Sequence, residues 1–396
     1  MKLPLQGVRV IAVEQYGAGP FGSMQLADLG AEVIKIENPA DGGDMGRKVG
    51  PFHLGPQDSH FFQSLNRNKK SVTLDLKKPA AREVLRKLAA SSDAVMNNLR
   101  GDLPDKLGVT YAHLCQVNER IVCSHLSAYG RTGERAAWPG YDYLMQAEAG
   151  YLSVTGEPGT PPSRMGLSVI DFMTGLYSAF ALVSAVVQAR SSGQGGDIDV
   201  NLFDCSLQNL SYLAAWYLNE GHVQGRDARS AHPSLTPSQL YRTRDGYIFV
   251  MCNKEKFWPA LCHAVDRADL AVDPRFENFA SRFEHRQELC TVLDGILGEK
   301  DTAEWLRIFA GRVPVAPVND IGAALDSTYV RENGSIWSTP TMSRPDFRVI
   351  GAPYKVEGTE LPRRRAPSLG EHTDEVLIAC GIPPEEIAAL RAANAI

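Results

Sequence analysis

One carboxylate stands apart in this 396-residue chain. Asp171 is the only charged side chain between Arg164 and Arg190, and residues 172–189 are apolar on every helical face. The pattern predicts a buried helix. An ionised carboxylate is costly in dry surroundings unless something compensates it, and the free N–H groups of a helix start can do so. Asp171 is therefore either a helix cap or a reactive group at the edge of a dry site. On this segment alone the cap is slightly favoured.

A second candidate lies near the front. Gly17-Ala-Gly19-Pro-Phe-Gly22 matches G-x-G-x-x-G, sits between a strand pattern and a helix pattern, and is followed by Glu37. Those features would suit an NAD-dependent oxidoreductase. Pro20, however, removes a backbone donor where a pyrophosphate would sit. A tight strand-to-helix turn with Pro20 near the first helical position accounts for the same residues. Metal chemistry has no sequence support. The seven cysteines are scattered and never form C-x-x-C, and the nine histidines form neither H-x-x-x-H nor H-E-x-x-H. An odd set of unpaired cysteines suits free thiols in a reducing, cytoplasmic compartment.

Composition narrows the partners. A net charge of −5 and no basic run beyond Arg363-Arg364-Arg365 argue against nucleic acid. The start lacks the apolar core of a signal peptide. Residues 172–188 are uncharged but carry Gly, Thr and two Ser and follow Asp171, so they read as a core helix and no membrane is expected.

The elements that must position these groups follow a regular order. Short apolar runs at 8–13, 31–37, 71–76, 94–98 and 121–126 read as strands, with helices over 21–29 and 79–90 between them. That alternation predicts βαβ units and a mostly parallel sheet. A strand-like 198–202 and a helical stretch to about 218 precede a loop-like 220–237. Residues 241–251 read as a hairpin turning at Asp245-Gly246. Helices at 257–265, 286–297 and 302–310 complete a smaller α+β part, and irregular sequence then leads to a helical pair near 371–390. The expected fold is α/β: a large Rossmann-like domain with a mostly parallel sheet, formed by 1–200, and a smaller α+β domain at 221–326. A C-terminal segment, 327–396, returns to the large domain. At this length two domains are the default.

Read together, these pieces resemble the class III CoA-transferases, the family of formyl-CoA:oxalate and carnitine CoA-transferases. The likeness rests on Ala18-Gly-Pro20, Leu26-Ala-Asp-Leu-Gly-Ala-Glu-Val-Ile-Lys-Ile-Glu37, Gly43-Asp44 and the stretch from Asn66-Arg-Asn-Lys-Lys to Lys77. It continues through Asn98, Asp105-Lys-Leu-Gly108, Gly140-Tyr-Asp-Tyr-Leu-Met-Gln-Ala147, Asp171, Thr243-Arg-Asp-Gly246 and Ala366-Pro-Ser-Leu-Gly-Glu-His372. The resemblance implies that Asp171 is a nucleophile that carries acyl and CoA groups in turn. It implies a CoA site at Gln15, Tyr16, Leu74, Lys77, Asn98, Leu99, Lys106 and Leu107, the two lysines serving the phosphates. It also implies an interlocked homodimer of the class III type. No cofactor is expected to be permanently bound; CoA, an acyl-CoA and a small carboxylic acid are the expected partners.

Departures from the family pattern bear on the acid. Gly17 stands where formyl-CoA:oxalate enzymes have glutamine, and the stretch around Arg229–Ser234 replaces their glycine run. With Tyr141, these name the substrate positions Gly17, Tyr141, Arg229 and His232. Arg229 suggests a cation for the second carboxylate of a dicarboxylic acceptor, with a succinyl-CoA donor. The fold also hosts 2-methylacyl-CoA racemases, whose base is a histidine in Gly-His-Asp. Here that motif reads Gly140-Tyr141-Asp142, and a phenol of ordinary pKa near ~10 is ill suited to the task. A non-catalytic CoA-binding protein remains the other alternative. Trp258, Trp305 and Cys205 read as structural.

Overall fold

The computed structural model describes residues 2–396. Six strands form one sheet: β1 (Arg9–Val13), β2 (Glu32–Glu37), β3 (Lys70–Thr73), β4 (Ala94–Asn97), β5 (Val122–Ser127) and β6 (Gly196–Asn201). They lie in the order β3-β2-β1-β4-β5-β6, and every neighbouring pair is parallel. This is the doubly wound dinucleotide-fold order, in which the chain reverses its direction of travel across the sheet between β1 and β4.

Alternate side chains of the strands feed two cores. Ile11, Val13, Ile34 and Ile36 pack with Val84, Leu85 and Leu88 of α1 (Pro79–Ala89) and with Val376 and Leu377 near the C-terminus. Val10, Ala12 and Val33 point the other way, onto Leu26, Ala179, Leu182 and Val186. Both faces are covered by helices, as parallel sheets require. The second layer contains the helices Ala18–Asp28 and Val169–Ser192, which cross with almost no gap. A Cβ on Gly22 would lie 2.4 Å from the Gly175 carbonyl oxygen, and one on Gly175 would lie 2.4 Å from that of Ala18. Gly22, the last glycine of the G-x-G-x-x-G match, is therefore used for helix packing.

The long helix behind Asp171 departs from expectation. Ile170, Thr174, Ser178, Leu182 and Val186 are buried, but Leu176, Tyr177, Phe180 and Val187 on the other faces are exposed, Phe180 to 75%. Uniform apolarity marks a helix with no solvent-facing side, but it cannot say what covers each face. The helix is long and apolar enough to cross a membrane by length and composition, while its buried face carries Asp171, Thr174 and Ser178 against the sheet layer.

The chain divides into two compact units. The first comprises residues up to Ala149, Met165–Ser211 and Arg331–Ile396; the second comprises Gly150–Arg164 and Tyr212–Val330. Gly150–Arg164 thus groups with the smaller unit and not with the large domain as expected, because Arg226 donates to the Thr160 and Pro161 carbonyls and Glu157 accepts the Arg229 N–H. The hairpin Ser238–Arg242 with Tyr247–Met251 forms as expected. It gains a third strand, Val315–Pro317, in a segment to which the sequence reading assigns no element.

Candidate active site

The reversal of chain direction between β1 and β4 opens a crevice at the strands' carboxyl ends, where ligands bind in open parallel sheets. Asn98, just past β4, spans that crevice. Its carboxamide oxygen accepts the Gln15 N–H at 2.9 Å and its amide donates to the Gln15 carbonyl at 2.7 Å. The side chain mimics a strand neighbour and holds the loop after β1 in place.

Tyr16, the next residue, has φ 69°, a left-handed conformation unusual for a non-glycine side chain. Its N–H donates to Asp44 Oδ1 at 2.8 Å. Asp44 in turn pairs with fully buried Lys35 at 2.8 Å, while Lys69 donates to Glu14 and to the Pro20 carbonyl. Burial pushes Lys69 down to about 8, with Glu14 opposing the fall. Burial raises the Glu14 carboxyl, but Lys69 and Lys35 outweigh it and hold the group low. A paired, desolvated cluster of this kind breaks badly when one member is removed, so it fixes the loop firmly. The sequence offered Gly43-Asp44 and Asn66–Lys70 only as motif pieces; their work is to hold Tyr16 and the helix start.

Asp171 is the third residue of helix Val169–Ser192, whose cap position is Ser168. Its carboxylate caps nothing. It is 7% exposed and lies against Gly17, where an added Cβ would fall 2.4 Å from Oδ2. Among the described residues, no group donates a hydrogen bond to that carboxylate. Burial first, and then the charge of Asp142, push Asp171 up to about 7. The Asp171 N–H donates to Asp142 Oδ2 at 3.0 Å.

A cavity of about 440 Å³ opens in front of this acid, and among the described residues Asp171 is the only carboxylate lining it. Gln15, Tyr16, Gly17, Asn98, Leu99 and Tyr141 line it too. A second hollow, sharing Gln15 and Leu99 with the first, is lined by Leu74, Lys77 and Leu107. Nine expected site residues besides Asp171 thus fall on two connected hollows. Lys106 does not; it is exposed and pairs at 2.7 Å with Asp102, the cap residue before its short helix Leu103–Leu107. Arg229 and His232 belong to the other compact unit. Arg229 pairs with Asp294 at 2.6 Å, and His232 Nδ1 accepts the Ser234 and Leu235 N–H groups within its own turn. Arg229 is therefore a neutralised cation and not a free one. Arg100 and Trp138 line the cavity and were missed; Arg100 stands two residues past Asn98.

The molecule is thus an α/β protein with a buried carboxylate of raised pKa facing a cavity at the reversal point of a parallel sheet. The chain belongs to CoA-transferase family III, whose family model matches residues 5–373. It is a CoA-transferase. It is similar to the human succinyl-CoA:glutarate CoA-transferase, with 31% identity over 94% of this chain and 85% of the relative. It is also similar to an acetyl-CoA:oxalate CoA-transferase of Acetobacter aceti, at 32% over 93% and 94%. Among solved structures, a CaiB/BaiF family protein from Brucella suis superposes with a TM-score of 0.83 at 30% identity, over 96% of this chain and all of that one.

Proposed function

We propose that Asp171 is the nucleophile of a reversible transfer of CoA from an acyl-CoA to a free acid. Its carboxylate oxygen attacks the thioester carbon; the C–S bond breaks and CoA leaves as thiolate with the electron pair, giving an aspartyl mixed anhydride. The thiolate attacks the aspartyl carbonyl and releases the donor acid as carboxylate, leaving an aspartyl-CoA thioester. The acceptor acid reverses these steps. One carboxylate suffices because it is both nucleophile and energy-conserving carrier. The observation that carries this reading is a buried acid, held up to about 7, facing a cavity with no other carboxylate among the described residues. A carboxylate of raised basicity is the better nucleophile once ionised, and dry surroundings protect an anhydride from water. Incubation with acyl-CoA and hydroxylamine, followed by peptide mapping, is expected to show modification at Asp171. Its absence there, or near-native turnover of Asp171→Ala, would reject the mechanism.

CoA itself is placed by the same reading along the two hollows, with Lys77 at the phosphates and Leu74, Leu99 and Leu107 against the apolar parts. For the acid, a dicarboxylate with succinyl-CoA as donor is favoured, now on the name of the human relative and not on Arg229. A panel of succinyl-, acetyl- and formyl-CoA against mono- and dicarboxylic acids tests it; equal rates with acetate and succinate would sink the dicarboxylate assignment.

The enzyme works in this reading as a cytoplasmic homodimer of interlocked chains. The exposed apolar face of helix Val169–Ser192, with Phe180 and Val187 most prominent, is surface that a partner would bury. Light scattering at micromolar concentration is expected to give twice the chain mass, and a monomer would refute the assembly.

A further inference from the structure

Asp142 is a second buried carboxylate in contact with the main chain of Asp171, 4% exposed, at the start of helix Asp142–Glu148. Nothing in the transfer scheme above uses it. Its two oxygens are both occupied. Oδ2 accepts the Asp171 N–H at 3.0 Å, and Oδ1 accepts Gln146 Nε2 at 2.6 Å. Gln146, fully buried one helical turn on, also accepts the Met165 N–H at 2.9 Å and donates to the Leu167 carbonyl at 3.1 Å. These two side chains tie helix Asp142–Glu148 to the segment that enters the nucleophile's helix.

The groups facing Asp171 are few. On its own helix no other charge lies nearer than Arg190. From the loop after β1 come Tyr16 and Gly17, and across the cavity Arg100 and Tyr141. Arg100 is bound to Asp102. Cys205 sits on helix Leu202–Asn209, where burial first raises its thiol and Thr174 opposes the rise. Only Asp142 brings a charge that acts on Asp171, and burial and that charge act in the same direction.

Resting on the nucleophile reading, we infer that Asp142 is a positioning residue that drives Asp171 toward its covalent states, while Gln146 fixes the distance between the two acids. The physical reason is charge displacement. In the free enzyme the Asp142 carboxylate sits on the Asp171 main-chain N–H, both acids are buried, and its negative charge raises the energy of ionised Asp171. When its oxygen bonds the acyl carbon, the charge passes to the CoA thiolate. When thiolate then takes the aspartyl carbonyl, the charge leaves with the departing acid. In the aspartyl-CoA thioester no charge remains on Asp171, so the repulsion is gone. Asp142 therefore destabilises the resting nucleophile relative to the loaded enzyme, and the stored repulsion favours loading whichever acyl-CoA arrives.

Asp142→Asn removes the charge and keeps a carbonyl for the Asp171 N–H. Two readouts separate this role from a merely structural one. The acid limb of the pH profile for the loading half-reaction is expected to move down by about one pH unit. The fraction of enzyme trapped as covalent CoA adduct with excess acyl-CoA and no acceptor is expected to fall severalfold. Gln146→Ala, which keeps the Asp142 charge but loosens its spacing, is expected to lower kcat and to move the acid limb in the same direction by less than Asp142→Asn. If the asparagine variant does not fold, Asp142→Ala is judged on the same two readouts. An unmoved acid limb or an unchanged adduct fraction in a folded Asp142 variant, with wild-type adduct mapped to Asp171, overturns the inference. Absence of wild-type adduct at Asp171 overturns the nucleophile reading itself.

Discussion

Asp171→Asn is expected to stop transfer and, in the ligand-free protein above neutrality, to make the fold more stable. An amide is a poor nucleophile, so activity should fall to background. The stability effect follows from the displaced acidity. The folded state holds the Asp171 proton up to about 7, against an ordinary value of 3.8 in the unfolded chain. Where the folded state binds more protons, stability falls as pH rises. Wild-type stability from this group is thus full below about 4, is lost progressively between about 4 and 7, and stays lost above. Over that window the loss amounts to as much as roughly 4 kcal/mol. An asparagine has no proton to lose, so the variant lacks this descent. Denaturant unfolding at pH 5 and pH 8 without CoA measures it: the variant's advantage should be larger at pH 8. All other titrating groups are common to both proteins, so the difference isolates Asp171. No growth of the advantage between the two pH values would mean that the acid is not strained by its surroundings. Such a gain would be a stability–activity trade-off at one side chain, the reactive acid being kept in a setting that disfavours its ionised form.

How far the sequence carries is clear from particular residues. Asp171 was legible because a lone charge ahead of an apolar helix breaks a local pattern, and the strands of the parallel sheet were legible because both faces are covered, which leaves near-continuous apolar runs. The scaffold behind Tyr16 was not. Lys35 sits mid-strand with charged neighbours at Glu32 and Glu37 and looks solvated, yet it is fully buried because Glu14 and Asp44 reach it from other parts of the chain. Such pairing is tertiary and leaves no period. The same holds for Arg229, whose counter-charge Asp294 lies 65 positions on, so that a loop cation read as free is bound. Asp142 and Gln146 show an intermediate case. Their one-turn spacing is visible in Gly140–Ala147, but the target of the Asp142 carboxylate is the N–H of a residue on another helix. The G-x-G-x-x-G match reads as a tight turn and not a phosphate cradle on the strength of Pro20. The motif indeed records close approach of backbone to protein groups: Asp171 at Gly17, Asn98 at Gly19 and Gly175 at Gly22.

That last point yields a sharp test within one short turn. Gly17 has φ −104° and ψ −77°, a backbone any residue can adopt, so Gly17→Ala brings no conformational strain. What the new methyl meets is the Asp171 carboxylate, 2.4 Å from Oδ2 and 3.3 Å from Cγ. The carboxylate can rotate away at little cost to the fold, and unfolding stability should change by no more than about 1 kcal/mol, smaller than common overpacking losses. The chemistry has no such freedom, since a shift near 1 Å in a reacting oxygen is enough to lose about 10²-fold in rate. Five residues on, the balance inverts. A methyl on Gly22 would lie 2.4 Å from the Gly175 carbonyl oxygen and 3.1 Å from its Cα, main-chain atoms that cannot rotate aside. Gly22→Ala must push two packed helices apart, at an expected cost of about 1–3 kcal/mol, while protein that remains folded should keep much of its kcat. Denaturation midpoints and steady-state kinetics on the two variants therefore should cross: Gly17→Ala stable and slow, Gly22→Ala unstable and competent. Near-native turnover by Gly17→Ala would show that Asp171 does not react from the position it occupies against that glycine.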